Sequence, residues 1–136
     1  VNGAKDAAGL VREMNGRFTA GDLEAAFALL HPDFRIQQPA SLPHGGWHHG
    51  RAGMAEMGVL FARHWDRTIT GPRVLDGGEQ AVQVTTQTWT AKATGRSATV
   101  DVVELFTAAD GLIREIRVFQ QDTHALLATL DGPPRS

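Results

Sequence analysis

The chain has 136 residues, 42% hydrophobic and 21% charged, with a net charge of -2. That balance suits a folded domain with its own core and excludes an intrinsically disordered chain. Lysine and arginine are scattered rather than clustered, so neither nucleic acid nor an acidic membrane is an expected partner. The absence of cysteine removes disulfides, thiolate metal sites and cysteine nucleophiles, and there is no tyrosine either. No apolar run reaches the length of a membrane helix and the first residues lack a signal-peptide core, so a cytoplasmic protein is expected.

Apolar residues at Ala7, Leu10, Val11, Met14 and Phe18 share one face of a helix predicted over residues 4–20. Gly21 ends it, and Asp22 can cap a second helix carrying Leu23, Ala26, Phe27 and Leu30. Pro32 breaks that helix, and residues 34–38 alternate as a short strand halted by Pro39. A Gly- and His-rich loop follows, long enough to suggest function. Met54, Met57, Phe61 and Trp65 mark a third helix over residues 51–66. Strands are predicted near 68–75, 80–92, 96–107 and 113–122, joined by tight Gly-containing turns, and a short helix closes the chain. Helices followed by hairpin-connected strands indicate an α+β fold, with three N-terminal helices packed on a curved antiparallel sheet. A domain over residues 1–130 and a disordered tail over 131–136 are expected, since Pro133 and Pro134 stop the last helix.

Along the last strand Ile116, Val118, Gln120 and Asp122 share a face, describing an apolar wall with a polar end. A carboxylate there is costly to ionise, which suits a general acid or base. An Asp directly before a helix is also a good N-cap, and that role accounts for most such residues. Glu104, between Val102 and Phe106, either faces the same pocket and shares a proton with Asp122 or pairs with Arg114 or Arg117 across the hairpin. Gln38 and Gln120 can orient a ligand oxygen or a carboxylate.

The loop histidines His44, His48 and His49 diverge in spacing, and no His-x-His or His-Glu-x-x-His pattern is present, so a metal is disfavoured. Either His44 or His48 serves the mouth of a pocket as a proton donor or acceptor, or the loop is a solvated turn built by its glycines. Trp47 has no periodic reason to sit in that loop and is read as a ligand or interface contact, whereas Trp65 follows the helical stripe of Met54 and Phe61 into the core. Trp89 shares a face with Gln83, Thr85 and Gln87, on a side of the sheet that the alternation leaves open.

The helix junction TAGDLEAAFALLHPDF, the loop LPHGGWHHGRAGM, the hairpin VVELFTAADGLIREIRVF and the ending DTHALLATL resemble the nuclear transport factor 2-like proteins. Within them, the likeness is to SnoaL-like polyketide cyclases and the related steroid ketoisomerases. The resemblance implies a cone-shaped α+β barrel with a ligand pocket. Aligned on Gly21-Asp22, the ketoisomerase tyrosine falls on Met14 and its base aspartate on Gln38, and neither can perform those roles. The cyclases are described as using one carboxylate near the end of the last strand, and Asp122 holds that position, though the hairpin after Trp89 lacks their Gly-Thr-His stretch. The resemblance thus implies a cofactor-independent enzyme acting on a small hydrophobic oxygenated metabolite, or a non-catalytic binding protein of the same fold. Asp122, His44 and Glu104 are the catalytic candidates. Met14, Phe18, Gln38, Trp47, His48, Phe61, Trp65, Val118 and Gln120 are the expected pocket residues. A homodimer through the outer sheet face, with Glu115, Arg117, Phe119 and Gln121 in line, is also expected.

Overall fold

A helix α1 (Ala7–Thr19) starts at Asp6, whose carboxylate accepts from the Gly9 N–H, and lays Leu10, Val11 and Met14 on the concave side of a sheet. The computed structural model describes residues 6–135, so the first two residues of the predicted helix, 4 and 5, lie outside the described residues. Gly21, at φ 77°, turns the chain into the short helix α2 (Leu23–Phe27), capped by Asp22. Strand β1 (Leu30–Gln38) leads to β2 (Gly46–His49) and helix α3 (Gly50–Ala62). Four strands then follow, β3 (Trp65–Gly77), β4 (Gln80–Ala91), β5 (Ser97–Ala109) and β6 (Leu112–Gln120), before helix α4 (Thr123–Ala128).

The result is the α+β architecture expected: a curved six-stranded sheet, ordered β2-β1-β6-β5-β4-β3, with its helices on the concave side. All neighbours are antiparallel except β1 and β6, which run parallel. The second helix is shorter than predicted and β1 begins earlier, at Leu30. Pro32 falls in a break of register between Leu30 and Arg35, where its missing N–H costs no ladder bond. The loop read as irregular contains β2, whose four residues pair with the end of β1. Trp65 opens β3 instead of ending α3. The i,i+4 spacing from Phe61 imitated a helical stripe, and the two rings do stack at 5.7 Å, but across a helix–strand junction.

Strand β3 pairs with β4 on one side only, and its ladder shifts register between Thr70 and Arg73, where Gly71 takes φ 103°. Such a bulge bends an edge strand, and here Gly71 and Pro72 form part of a cavity wall. Residues 131–135 pack against the turn between β4 and β5, held by Arg96 Nη1 to the Asp131 carbonyl and by the Arg135 N–H to the Ala93 carbonyl. Among the described residues no helix is long and apolar enough to cross a membrane.

Candidate active site

Sheet register sorts the concave face into rows. Ala81, Phe106, Ile116 and Ile36 are successive neighbours on β4, β5, β6 and β1, all buried, and they form an apolar floor. Two residues along lies the row Gln83, Glu104, Val118, and beyond it Thr85, Val102, Gln120. Period-two alternation thus turns a polar band inward just beyond the floor. Helices α1 and α3 cover the band with Met14, Phe18, Met54, Met57 and Phe61, leaving a cavity of about 450 Å³.

Among the described residues Glu104 is the one carboxylate on this wall. Protein encloses it, although part of its surface meets the cavity. Its Oε1 accepts from Gln83 Nε2 at 3.0 Å, and Gln83 Oε1 in turn accepts from Asn15 Nδ2 at 2.6 Å. Burial pushes the Glu104 carboxyl up, and the Gln83 hydrogen bond and the positive charge of Arg67 pull it only part of the way back. Among the described residues Arg67 is the one lysine or arginine lining the cavity. Its guanidinium lies 4.9 Å from the centre of the Phe61 ring, with its outer surface exposed at the mouth. Burial lowers its pKa and Glu104 raises it, but arginine starts so high that the charge persists.

His44 sits on the same wall at 2% exposure, edge-on to Phe61 and 5.7 Å from Trp89. Burial and the neighbouring charge of Arg67, with His48 and His64 also near, hold it down at about 4, so the ring is neutral at physiological pH. The loop that presents it is closed by Gly45, where a Cβ would stand 2.4 Å from the Pro39 carbonyl oxygen. His48 Nε2 reaches the His44 carbonyl at 2.8 Å and fixes the same loop. Gln87 donates to Thr85 Oγ1 and accepts from Trp89 Nε1, so those groups are satisfied within the wall. Among the described residues, three buried side-chain polar atoms have no protein partner: the Gln38 amide oxygen, the Gln120 amide oxygen and His44 Nδ1. All three residues line the cavity. Buried polar groups are ordinarily paired, so such a cluster is where a ligand's own polar atoms would be received.

Of the residues singled out from sequence, Met14, Phe18, Gln38, His44, Phe61, Glu104, Val118 and Gln120 meet around this cavity. Four do not. Trp65 is buried behind the wall, its Nε1 donating to Thr129 Oγ1 at 2.8 Å. His48 acts on the His44 backbone rather than on the cavity. Trp47 is partly exposed on β2 beneath the Arg35 guanidinium, 4.2 Å away.

Asp122 is the principal correction. Strand β6 ends at Gln120, so the alternation that places Gln120 inward does not extend to it. Asp122 is exposed, does not line the cavity, and caps α4 by accepting from the Ala125 N–H at 3.0 Å. Glu104 accordingly has neither Asp122 beside it nor an ion pair with Arg114 or Arg117. Asp122→Ala should cost about 1 kcal/mol of stability, the usual worth of an N-cap, and Asp122→Ser should restore most of it. Chemical denaturation checks both. Ligand binding in the cavity should be unaffected.

Sequence reasoning passed over Arg67, Asn15, Met54 and Met57 as wall residues, and left Gln83, Thr85, Gln87 and Trp89 on an unassigned face. The helical spacing of Met54 and Met57, and the common parity of the β4 set, were the available signals.

Solved structures share this arrangement. A nuclear transport factor 2-like protein from Burkholderia xenovorans superposes with a TM-score of 0.82 at 23% identity, covering 95% of this chain and all of its own. A protein from Pseudomonas putida provisionally assigned as a polyketide cyclase gives 0.75 at 19% identity, covering 93% and 99%. TerC, co-crystallised with polyporic acid, gives 0.78 at 23% identity, covering 90% and 96%. At these identities the likeness is one of fold. No curated protein matches the sequence significantly. Residues 11–116, which carry most of α1, the sheet through most of β6 and the whole polar band except Val118 and Gln120, match the model of the SnoaL-like domain, and the chain belongs to that family.

Proposed function

We propose that the protein is a cofactor-independent acid/base enzyme of the cyclase or isomerase type, acting on a small hydrophobic oxygenated metabolite, with Glu104 as the group that moves the proton. The observation that carries this reading is the solitary Glu104 carboxyl, set in the polar band of the cavity beside its apolar floor and shifted above the usual carboxylate range by burial. A carboxyl tuned toward neutrality removes a carbon acid's proton and returns it more effectively than one left at its ordinary value. The Asn15–Gln83 chain fixes which way the carboxyl faces. Arg67 is the charge available to a developing oxyanion, and the Gln38 and Gln120 amide oxygens can accept from hydroxyl groups of the ligand, with neutral His44 beside them. Provisional polyketide cyclases among the structural relatives support the same reaction class.

The test is proton exchange at carbon. 2-Tetralone, a flat ketone small enough for the cavity, is incubated with the protein in D2O and followed by NMR. Exchange next to the carbonyl should exceed the buffer rate and be suppressed by a competing ligand, with polyporic acid as the first to try because TerC was co-crystallised with it. Tetralone that binds without accelerated exchange would refute the enzyme reading and favour a binding protein of the same fold.

A further inference from the structure

Each of the chain's three methionines, Met14, Met54 and Met57, lines the cavity. Phe61 and Trp89 stand nearly perpendicular there, with ring centres 4.8 Å apart. Polarizable thioethers and ring edges favour a soft, flat, conjugated body over a carbohydrate or an aliphatic chain. The polar groups without protein partners are spread across the sheet. Arg67 lies on edge strand β3, the Gln38 and Gln120 amides lie on β1 and β6, and Glu104 on β5 falls between them in strand order.

The charge at the β3 end is unbalanced by direct contact. Arg67 contacts the Phe61 face, yet makes no ion pair with Glu104 and no hydrogen bond to a protein group among the described residues. Five N–H donors therefore remain for a ligand or for water. Glu104, the only negative side chain on the wall, is drawn toward its neutral form by burial. An anion placed near it would draw it further. A cationic ligand would meet Arg67 at the mouth and be repelled.

Building on the assignment of this cavity as the ligand site, we propose that it takes a planar conjugated anion, an enolate or hydroxyquinone anion, whose oxyanion pairs with Arg67 while hydroxyl groups at its far end donate to the Gln38 and Gln120 amide oxygens. The site then discriminates by charge and not by shape alone, because a neutral isostere forfeits the charge-assisted hydrogen bonds. Binding takes up a proton, which settles on Glu104.

The probes are 2-hydroxy-1,4-naphthoquinone, an anion at neutral pH, and 2-methoxy-1,4-naphthoquinone, which cannot ionise. The chain has no cysteine to trap either by thiol addition. Titration calorimetry at pH 7.5 should show the hydroxy compound bound at least about tenfold more tightly, the scale expected of a charged hydrogen bond. Running it in two buffers of different ionisation enthalpy should reveal net proton uptake. Arg67→Gln should abolish the preference, Arg67→Lys should keep much of it, and Glu104→Gln should keep the preference but lose the proton uptake. Thermal melts of each variant establish that it is folded. Equal affinity for the two probes, a preference that survives in Arg67→Gln, or failure of both probes to bind would overturn the proposal. The 2-tetralone experiment uses a neutral ketone. Its failure would remove the acid/base reading while leaving an anion-selective site, and its success alongside charge-blind binding would do the reverse.

Discussion

Glu104→Gln should lower the rate of 2-tetralone exchange by about 10²- to 10⁴-fold, the usual contribution of a positioned acid or base, and change affinity by less than about threefold. The substitution is close to isosteric, and the amide oxygen can still accept from Gln83 Nε2, so the wall keeps its shape. What disappears is titration. An amide neither takes nor returns a proton at these pH values. Stability near neutral pH should be unchanged or slightly higher, because the variant no longer buries an ionisable group.

The wild-type pH–rate profile supplies a second readout. Proton abstraction needs the ionised carboxylate, so the rate should rise with pH through the Glu104 pKa, with a midpoint displaced above the ordinary carboxylate range. Arg67→Gln should move that midpoint higher still, since the charge that favours the ionised form is gone. A Glu104→Gln protein that exchanges tetralone at close to the wild-type rate would show that the proton moves through another group.

How much of this site was legible in the chain depends on which physical rule governs each residue. Met14 and Phe18 follow a helical period, and Val118 and Gln120 follow strand alternation, so local pattern placed them on the cavity correctly. Gln38 was legible in the same way, whereas for Glu104 the alternation left the cavity and an ion pair across the hairpin both open. Asp122 failed because the alternation was counted past the strand's end, where the local demand of α4 for an N-cap took over. Trp65 failed because spacing from Phe61 fits a helix and a helix–strand corner equally well.

Arg67 was illegible for a different reason. Strand β3 is an edge strand exposed along nearly its whole length, so its burial does not alternate, and only the curvature of the sheet carries one arginine over the cavity mouth. The parity of Gln83, Thr85, Gln87 and Trp89 was plain, but which side of β4 faces inward is decided by where α1 and α3 pack. That is a tertiary fact which no single strand encodes.

His44 should make the fold acid-sensitive in a window set by its own titration. An ordinary histidine titrates near 6.5, whereas this one is held to about 4. Between those values the unfolded chain binds a proton that the folded chain refuses, so stability falls as pH falls from about 6.5 toward 4 and is unaffected by this group above that range. Down to pH 4.5 the loss approaches about 2–3 kcal/mol, at 1.36 kcal/mol per pH unit. The cause is physical enclosure. The imidazole sits among Phe61, Trp65 and Trp89, with Nδ1 unpaired and Arg67, His48 and His64 near enough to oppose a positive charge. His44→Leu keeps most of the volume and removes the titration. Urea midpoints at pH 7.0, 6.0, 5.0 and 4.5 should therefore fall more steeply for the wild type than for the variant, so that the difference between them moves in the variant's favour as pH falls. Parallel curves would mean that the folded chain accepts a proton on His44 as readily as the unfolded chain does.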